Sequence, residues 1–431
     1  MSTVFAKKTE KTEAERGAEF GGILTAHSPF CYNGREKFFR RGMRLCVRRG
    51  QTEEFAMDGT DLSFYKGKRV FVTGHTGFKG SWLCRILLGA GAEVYGCALP
   101  PAQPSLYPLA GIEGNVRSVF GDMRDAAAPE RAFREAEPQI VFHLAAQPIV
   151  RAGYADPAYT YQTNVMGTVN LLECARKFGG VRSFVNVTTD KVYRECRSMD
   201  GMCRGDGGAD APISSMSGAH EEAARGYAEE DALGGADPYS NSKSCSDLIA
   251  RCYAQSFFAG GQTRISSVRS GNAVGGGDFA PDRILPDCIR AALAGEPVRV
   301  RNPRSVRPYQ HVLESLSAYL LVAQKQWENA EFAGEYNVGP DECTSTGELV
   351  SLFCEKWGGV RWIAEREENA PREAEELRLD NAKIKRVLGW KPRWNIAEAV
   401  EMTVEWVKAW QGGGNIPALM DKQIAACFQA G

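Results

Sequence analysis

From Lys68 onward the sequence alternates between short apolar runs rich in β-branched residues and longer amphipathic segments. This alternation restricts the fold more than any other feature. The run RVFVTG at 69–74 is followed by the helical pattern SWLCRILLGAG at 81–91, and the alternation continues to RISSVRSGN at 264–272. Short buried strands separated by amphipathic helices are typical of a parallel sheet covered on both faces. The pattern therefore predicts a doubly wound α/β domain.

The regularity of this pattern also divides the chain. Residues 1–65 mix charge runs without a sustained period and are predicted to be a flexible N-terminal extension. Residues 66–270 form the predicted α/β domain, in which 194–225, rich in glycine, serine, alanine and charge, is expected to be an inserted surface loop. Mixed helix and loop patterns predict a smaller region over 271–415, partly interleaved with the first domain, and a tail over 416–431.

Composition excludes several classes of protein. The 52 basic and 53 acidic side chains are interspersed and give a formal net charge of −1, which argues against a nucleic-acid partner. Thirteen cysteines without a CxxC pair suit reduced thiols better than disulfides. Because we find neither a membrane-length apolar run nor the apolar block of a signal peptide, we expect a cytoplasmic protein without a membrane partner. No metal site is predicted.

The glycine-rich stretch TGHTGFKG at 73–80 joins the first predicted strand to the first predicted helix. In this context Gly74 suits a sharp turn, Gly77 lets the backbone approach a pyrophosphate, and Gly80 lets the helix pack closely on the strand. The amino end of the helix would face the phosphates. The spacing GxxGxxG between a strand and a helix therefore predicts dinucleotide binding.

Charge does not decide between NAD and NADP. No acidic residue lies between Glu93 and Glu113 to bind a ribose 2′-hydroxyl, and no basic residue lies between Arg85 and Arg117 to bind a 2′-phosphate. Asp122, at the end of the third predicted strand, is either an adenine contact or a turn and cap residue.

Tyr239 and Lys243 are four residues apart in DPYSNSK, where Asp237 is a plausible N-cap, so both side chains lie on one helix face. The parallel-sheet rule places this helix start at the same edge as the strand end TTDK at 188–191. A nearby ammonium favours phenolate, so Tyr239 is a candidate base for a sugar hydroxyl. Asp190 and Lys191 are either reactive groups in the same cleft or an exposed ion pair.

Several motifs in this order resemble the extended short-chain dehydrogenase/reductases: TGxxGxxG, HLAAQ at 143–147, TNVxGT at 163–168 and YxxxK at 239–243. Within that family, the likeness is to the 4,6-dehydratases of CDP-glucose. It rests on GHTGFKGSWL, AAQPIVR, TTDKVY, GGADPYSNSK, GNAVGGGDFAPDRILPD and RNPRSVRPYQHVLE. It extends from about Lys66 to Trp394.

The resemblance implies a Rossmann-like NAD-binding domain over 66–270 and a substrate-binding region over 271–415. It implies a lyase reaction in deoxysugar (O-antigen or lipopolysaccharide) biosynthesis, with NAD as cofactor and a CDP-sugar as substrate. The sugar would be oxidised at C4, lose water across C5 and C6, and receive the hydride at C6. The product would be CDP-4-dehydro-6-deoxyglucose, made by a homodimer paired through the helices near 164–178 and 239–258.

The resemblance also assigns roles to four catalytic residues, and a fifth, Lys191, needs a separate argument. Tyr239 matches the base for the C4 hydroxyl, Lys243 the lysine that binds ribose and tunes the phenol, and Thr189 a hydroxyl that hydrogen-bonds there. Asp190 matches the acid that protonates the departing C6 oxygen. Lys191 stands where relatives acting on dTDP-sugars carry glutamate. A neutral Lys191 could remove the C5 proton, or a charged one could stabilise the enolate.

The remaining implied contacts belong to the two ligands. The cofactor contacts are Gly74, Thr76, Gly77, Phe78, Lys79, Gly80, Asp122, Leu144, Ala145, Ala146, Tyr239 and Lys243. The substrate contacts are Gln147, Asn272, Arg283, Arg307 and His311. Two alternatives stay open: a nucleotide-sugar 4-epimerase, which needs no acid or base at C6 and C5, and a dinucleotide-binding protein without turnover.

Overall fold

The computed structural model describes residues 56–57, 60–195, 226–365 and 374–428. The predicted extension up to residue 55 and nearly all of the predicted loop at 194–225 lie outside these residues. The strands are β1 (Ala56–Met57), β2 (Thr60–Asp61), β3 (Arg69–Thr73), β4 (Glu93–Ala98), β5 (Arg117–Phe120), β6 (Ile140–His143), β7 (Ser183–Thr189), β8 (Arg264–Ser270), β9 (Ala273–Val274), β10 (Val298–Val300), β11 (Val306–Arg307), β12 (Gln310–His311), β13 (Glu335–Val338), β14 (Thr344–Ser345) and β15 (Trp362–Ala364).

The helices surround these strands. They are α1 (Phe78–Gly89), α2 (Leu106–Leu109), α3 (Ala127–Ala136), α4 (Val150–Ala155), α5 (Pro157–Tyr161), α6 (Gly167–Phe178), α7 (Pro238–Phe257), α8 (Ile284–Ala294), α9 (Val312–Glu328), α10 (Thr346–Trp357), α11 (Ala382–Leu388), α12 (Ile396–Gln411) and α13 (Ile416–Phe428). A π-helical segment, Gln162–Met166, joins α5 to α6. Among the described residues, no helix is long and apolar enough to cross a bilayer.

Seven parallel strands form the main sheet in the order β13-β8-β7-β6-β3-β4-β5. The chain leaves β3 in one direction toward β4 and β5, then returns to the other side of β3 as β6. This reversal opens a crevice at the carboxyl ends of β3 and β6, where doubly wound sheets bind their ligands. The predicted doubly wound, Rossmann-like fold is confirmed.

Apolar side chains pack on both faces of the sheet, which explains why the central strands β3 and β6 are apolar in sequence. On one face Trp82 and Leu83 of α1 pack with Leu316 and Leu320 of α9. On the other face the strands bury apolar residues against α3 and α6, among them Phe133. Because these central strands are buried on both sides, they do not carry the polar and apolar alternation of a half-exposed sheet.

The chain returns to the main sheet after residue 271, as the predicted interleaving requires. Strand β13 pairs in parallel with β8, from Glu335 opposite Ser267 to Val338 opposite Ser270. Helix α9 also lies in the core beneath this part of the sheet, where Ser183 donates to the carbonyl of Ala323. The exact domain boundaries stay a prediction.

Packing differs from the sequence analysis at both ends of the described chain. The predicted extension reaches residue 65, yet Tyr65 is fully buried and its hydroxyl donates to the carbonyl of Leu320 at 2.6 Å. The predicted tail begins at residue 416, yet α13 buries Met420 and Phe428 against the core. Both segments supply large apolar side chains. The free energy gained by burying these side chains exceeds the cost of ordering the polar residues beside them.

Candidate active site

The glycine loop has the geometry that close packing requires. Gly74 has a φ of +71°, and a Cβ added there would lie 2.9 Å from the backbone of Ala145. A Cβ on Gly80 would lie 2.2 Å from the carbonyl oxygen of Gly74, so any larger residue would push α1 away from the loop. Gly77 is the N-cap of α1 and makes no side-chain cap, so the helix amino end is open to an acceptor. These features fit a dinucleotide pyrophosphate.

Hydrogen bonds hold the neighbouring predicted cofactor residues in place. The Thr73 hydroxyl accepts from the backbone N–H groups of Leu144 and Ala145, each at 3.1 Å. Thr76 donates to the carbonyl of Leu99 at 2.9 Å. Lys79 donates to the Tyr319 hydroxyl at 3.1 Å. The loops after β3, β4 and β6 are thus fixed around one crevice.

Asp122 has a partner within the protein. Its carboxylate accepts from the backbone N–H of Arg124 at 2.9 Å and from the guanidinium at 2.7 Å. The side-chain hydrogen bond from Arg124 lowers the pKa of Asp122. Asp122 therefore stabilises the turn that contains Arg124, while its contact with adenine stays a prediction.

Tyr239 and Lys243 are buried at the start of α7. Asp237 caps this helix by accepting from the backbone N–H of Ser240 at 3.0 Å. The Lys243 ammonium donates to the carbonyl of Val187 at 2.8 Å, which ties α7 to β7. Burial, and then the charge of Lys79, lowers the pKa of Lys243 to about 8. Lys243 is thus poised to change charge near neutral pH.

The Tyr239 phenol is shaped by opposing influences. Burial raises its pKa to about 12, a hydrogen bond with Thr189 lowers it, and the charge of Asp190 raises it again. The positive charge of Arg283 lowers the pKa of the Tyr239 phenol. A bound cation above the phenol would add to that effect, because positive charge favours phenolate.

Asp190 and Lys191 lie beside Thr189 and Tyr239 rather than on the protein surface. Asp190 is 1% exposed and its Oδ1 accepts from the Thr189 hydroxyl at 2.8 Å and from Lys191 Nζ at 2.9 Å. Lys191 also donates to Asn272 Oδ1 at 3.1 Å. The second carboxylate oxygen, Oδ2, is buried and has no hydrogen-bond partner. The alternative of an exposed ion pair is therefore wrong.

Of the predicted substrate residues, Asn272 and Arg283 lie near Lys191 and Tyr239. Asn272 contacts Lys191, and Arg283 lies close enough to Tyr239 to act on its pKa while it pairs with Asp278 at 2.9 Å. Gln147 is buried, and its amide donates to Thr160 at 2.8 Å. These contacts leave the substrate roles as predictions.

Arg307 and His311 lie deeper than a surface ligand contact would. Arg307 is 4% exposed, and its guanidinium donates to the carbonyls of Ala374 and Glu375. His311 is fully buried with its ring edge-on to the indoles of Trp82 and Trp394, and burial lowers its pKa to about 3. The structure does not bring His311 to the group around Tyr239, because its surroundings are aromatic side chains from distant parts of the chain.

Sequence reasoning missed one buried ion pair beside the site. Asp247 and Arg269, each 1% exposed, join α7 to β8 through two hydrogen bonds of 2.9 and 3.0 Å. Asp247 lies one helical turn after Lys243 and raises the pKa of that lysine. The signal in the sequence is Arg269, a charged residue within the predicted buried strand RISSVRS.

Burial of Lys243 leads to a pH prediction. Its pKa is 10.5 ordinarily and about 8 in the folded chain, so between these values the unfolded state binds more protons. The free energy of unfolding should therefore rise with pH across this window because of Lys243. Urea unfolding at a series of pH values should show this rise in the wild type and less of it in Lys243→Met. Parallel curves for the two proteins would contradict the prediction.

With this geometry in place, comparison with known proteins identifies the class. The family model described as the NAD dependent epimerase/dehydratase family matches residues 70–339, and the chain belongs to this family. The prediction of NAD as cofactor is therefore confirmed at the level of the family.

Individual relatives narrow the class. The chain is 42% identical to CDP-glucose 4,6-dehydratase of Salmonella typhimurium over 86% of this chain and 99% of the relative. It is 31% identical to dTDP-glucose 4,6-dehydratase of Streptomyces griseus, over 78% of this chain and 93% of the relative. A solved structure of Thermus thermophilus UDP-glucose 4-epimerase with NAD superposes with a TM-score of 0.63, covering 78% of this chain and 97% of that one at 26% identity. The predicted resemblance to sugar-nucleotide 4,6-dehydratases is confirmed.

Proposed function

We propose that this protein converts CDP-glucose to CDP-4-dehydro-6-deoxyglucose and water. The observation that carries the proposal is the buried carboxyl of Asp190 in direct contact with Thr189 and Lys191, next to Tyr239. A 4-epimerase needs only a base at the C4 hydroxyl, whereas elimination of water also needs an acid for the leaving oxygen. The 42% identity to a CDP-glucose 4,6-dehydratase supports the same activity and the same nucleotide.

Each residue then has a chemical task. Tyr239, as phenolate, accepts the proton of the C4 hydroxyl, and the positive charge of Lys243 favours that phenolate. The glycine loop at 73–80 would hold NAD, which would supply the hydride chemistry between C4 and C6 of the sugar. Asp190 donates a proton to the departing C6 oxygen. The Lys191 amine removes the C5 proton or stabilises the enolate, since the C5 proton is acidic once C4 is a ketone.

The test is a panel of purified reactions with CDP-, dTDP-, UDP- and GDP-glucose in the presence of NAD. We expect CDP-glucose to lose one water, seen by mass spectrometry, and the other nucleotides to react more slowly. A product of unchanged mass with inverted C4 would instead establish the 4-epimerase, to which several similar solved structures belong. Binding of NAD without turnover of any of these substrates would support the alternative of a dinucleotide-binding protein that is not an enzyme.

Lys191→Met should slow the exchange of the C5 hydrogen. In the wild type, Lys191 lies beside the buried acid and is the nearest cation to it, so it either removes the C5 proton or stabilises the enolate. General acid–base catalysis contributes roughly 10²–10⁴-fold, and we expect a loss in this range. The measurement is deuterium incorporation at C5 from heavy water. Equal incorporation in both proteins would remove Lys191 from this step.

We also propose a homodimer paired through α6 and α7. These helices expose large apolar side chains, with Phe257 55%, Leu248 49% and Phe178 39% exposed. The mass in solution, measured by light scattering, would test this pairing. We place the enzyme in the cytoplasm, where the cysteines that the structure describes would stay reduced thiols, and its product in deoxysugar (O-antigen or lipopolysaccharide) biosynthesis.

A further inference from the structure

Asp190 and Lys191 are neighbours in sequence whose side chains contact each other directly. Lys191 Nζ donates to Asp190 Oδ1 at 2.9 Å, and Asp190 is 1% exposed. Nζ also donates to Asn272 Oδ1 at 3.1 Å, an amide oxygen that can only accept. Because both partners of Nζ are acceptors, these contacts suit an ammonium on Lys191 and a carboxylate on Asp190.

This charge state is the reverse of the one that elimination needs, given the proposed function on which the inference rests. An ammonium has no lone pair with which to take a proton from C5. A carboxylate has no proton to give to the oxygen on C6. Moving one proton from Nζ to Oδ1 across the 2.9 Å contact changes both groups at once, and it gives a neutral amine beside a carboxylic acid.

We propose that Asp190 and Lys191 work as one acid–base unit, which shares a single proton and resets itself in each turnover. The proton first passes from Nζ to Oδ1. The Lys191 amine then takes the proton from C5 as that C–H bond breaks and the C5–C6 double bond forms. The C–O bond at C6 breaks, and the Asp190 carboxyl gives its proton to the departing oxygen to form water. Lys191 is then an ammonium again and Asp190 a carboxylate, so no outside acid or base is consumed.

Burial favours the neutral form of the pair. Two opposite charges lose more on leaving water than the neutral amine and acid that they become. Asp190 is already out of water and the Lys191 side chain is 22% exposed, so a sugar that covers Lys191 would complete this change.

The free oxygen of Asp190 gives the acid a place to act. Asp190 Oδ2 is buried and, among the described residues, has no hydrogen-bond partner, whereas Oδ1 accepts from Thr189 and Lys191. Oδ2 is therefore the oxygen left for the C6 hydroxyl. The carboxyl torsion is roughly two-fold and broad, so a turn of the carboxyl brings the protonated oxygen to this position.

Two other titratable groups lie near Asp190. The charge of Asp190 acts on Tyr239 of α7 and on Cys343, which precedes β14. Burial raises the pKa of Tyr239 to about 12 and that of Cys343 to about 11, so both stay protonated up to about pH 9 in the free protein. Lys243, whose pKa burial lowers to about 8, has its task at C4. Its titration should therefore alter the oxidation at C4 and not the loss of water.

The pH dependence of water loss tests the shared proton. The ion pair and the amine-and-acid form hold the same number of protons, so a change of pH does not shift one toward the other. We expect the rate of water loss in the wild type to vary by less than about threefold between about pH 6 and 9. Single turnovers of CDP-glucose, followed by rapid chemical quench and mass spectrometry, give this rate. Deuterium at C5 marks the elimination step through its isotope effect.

Single substitutions should give slopes of opposite sign. In Asp190→Asn, Lys191 must lose its proton to solvent, so exchange of the C5 hydrogen should rise with pH by up to about tenfold for each pH unit. In Lys191→Met, Asp190 must take its proton from solvent, so the residual water loss should fall as pH rises. Lys356→Met is the matched control, because it breaks a surface pair with Glu401 and should keep the flat profile.

A wild-type rate of water loss that climbs or falls steadily with pH would overturn the proposal, because the active form would then hold fewer or more protons than the ion pair. Slopes of the same sign in Asp190→Asn and Lys191→Met would overturn it as well. Failure of the proposed function is seen separately, as wild-type protein that leaves CDP-glucose unchanged.

A second readout needs no substrate. In protein carrying ¹³Cγ-labelled aspartate, the Asp190 resonance is assigned with Asp190→Asn. Without the neighbouring ammonium, the buried carboxylate should take up its proton at higher pH, so this resonance should titrate at higher pH in Lys191→Met than in the wild type. An unmoved titration would remove the coupling between the two groups, and with it the shared proton.

Discussion

Replacing Tyr239 by phenylalanine is expected to abolish oxidation of the sugar at C4 and to leave NAD binding intact. The substitution removes one hydroxyl from a buried ring and leaves the glycine loop and Lys243 in place. The lost hydroxyl is the proposed base, and loss of a positioned general base lowers rates by about 10²–10⁴-fold. Turnover of CDP-glucose and binding of NAD, followed by calorimetry, measure the two effects separately.

Tyr253→Phe is the matched control for this prediction. Tyr253 lies on the same helix, and its hydroxyl donates to Glu173 at 3.0 Å, away from the group around Asp190. Its replacement should leave turnover unchanged. If Tyr239→Phe keeps wild-type turnover, or if both variants lose it equally, the assignment of Tyr239 as base is wrong.

Asp247→Ala should have the largest effect on stability. The substitution would leave the Arg269 guanidinium buried without its carboxylate, since both side chains are 1% exposed. Breaking a buried pair in this way costs about 3–5 kcal/mol in the free energy of unfolding. Denaturant unfolding measures that change. Because Asp247 raises the pKa of Lys243, its loss should also lower that pKa further.

Two control variants separate the effect of burying a charge from the effect of losing an ion pair on the free energy of unfolding. Glu130→Ala breaks the surface pairs of Glu130 with Arg134 and Lys177, and we expect a loss within about 1 kcal/mol. The double replacement Asp247→Leu with Arg269→Met removes both charges and should recover much of the stability. A loss in Asp247→Ala no greater than in Glu130→Ala would contradict the prediction.

Much of the fold follows from the sequence because local rules decide it. The central strands β3 and β6 are short apolar runs, and α7 begins at an aspartate followed by proline, so periodicity and capping are enough to place these elements. Past residue 271 the sheet gains β13, whose four residues carry no distinctive pattern. Only the unpaired edge of β8 explains why that segment becomes a strand.

The candidate site is predictable to a smaller extent. The order of the motifs brings Thr189, Asp190 and Tyr239 to one edge of the sheet, as the parallel-sheet rule requires. The partner of Lys191, Asn272, is 81 residues away, and its contact depends on how β8 ends. The motif RNPRSVRPYQHVLE predicts a substrate contact for His311, whereas its buried ring lies edge-on to the indoles of Trp82 and Trp394. Contacts of this kind are set by packing rather than by local pattern.

The position of β13 has a consequence for how such a chain could have been assembled. A fragment that ends at residue 270 would leave β8 as a bare edge, with the seven residues that pair with β7 on one side and no strand on the other. The half that supplies most of the predicted sugar contacts also supplies the strand that closes the sheet. New substrate preferences in this architecture would therefore arise by exchange of side chains and loops, and not by transplanting a whole module.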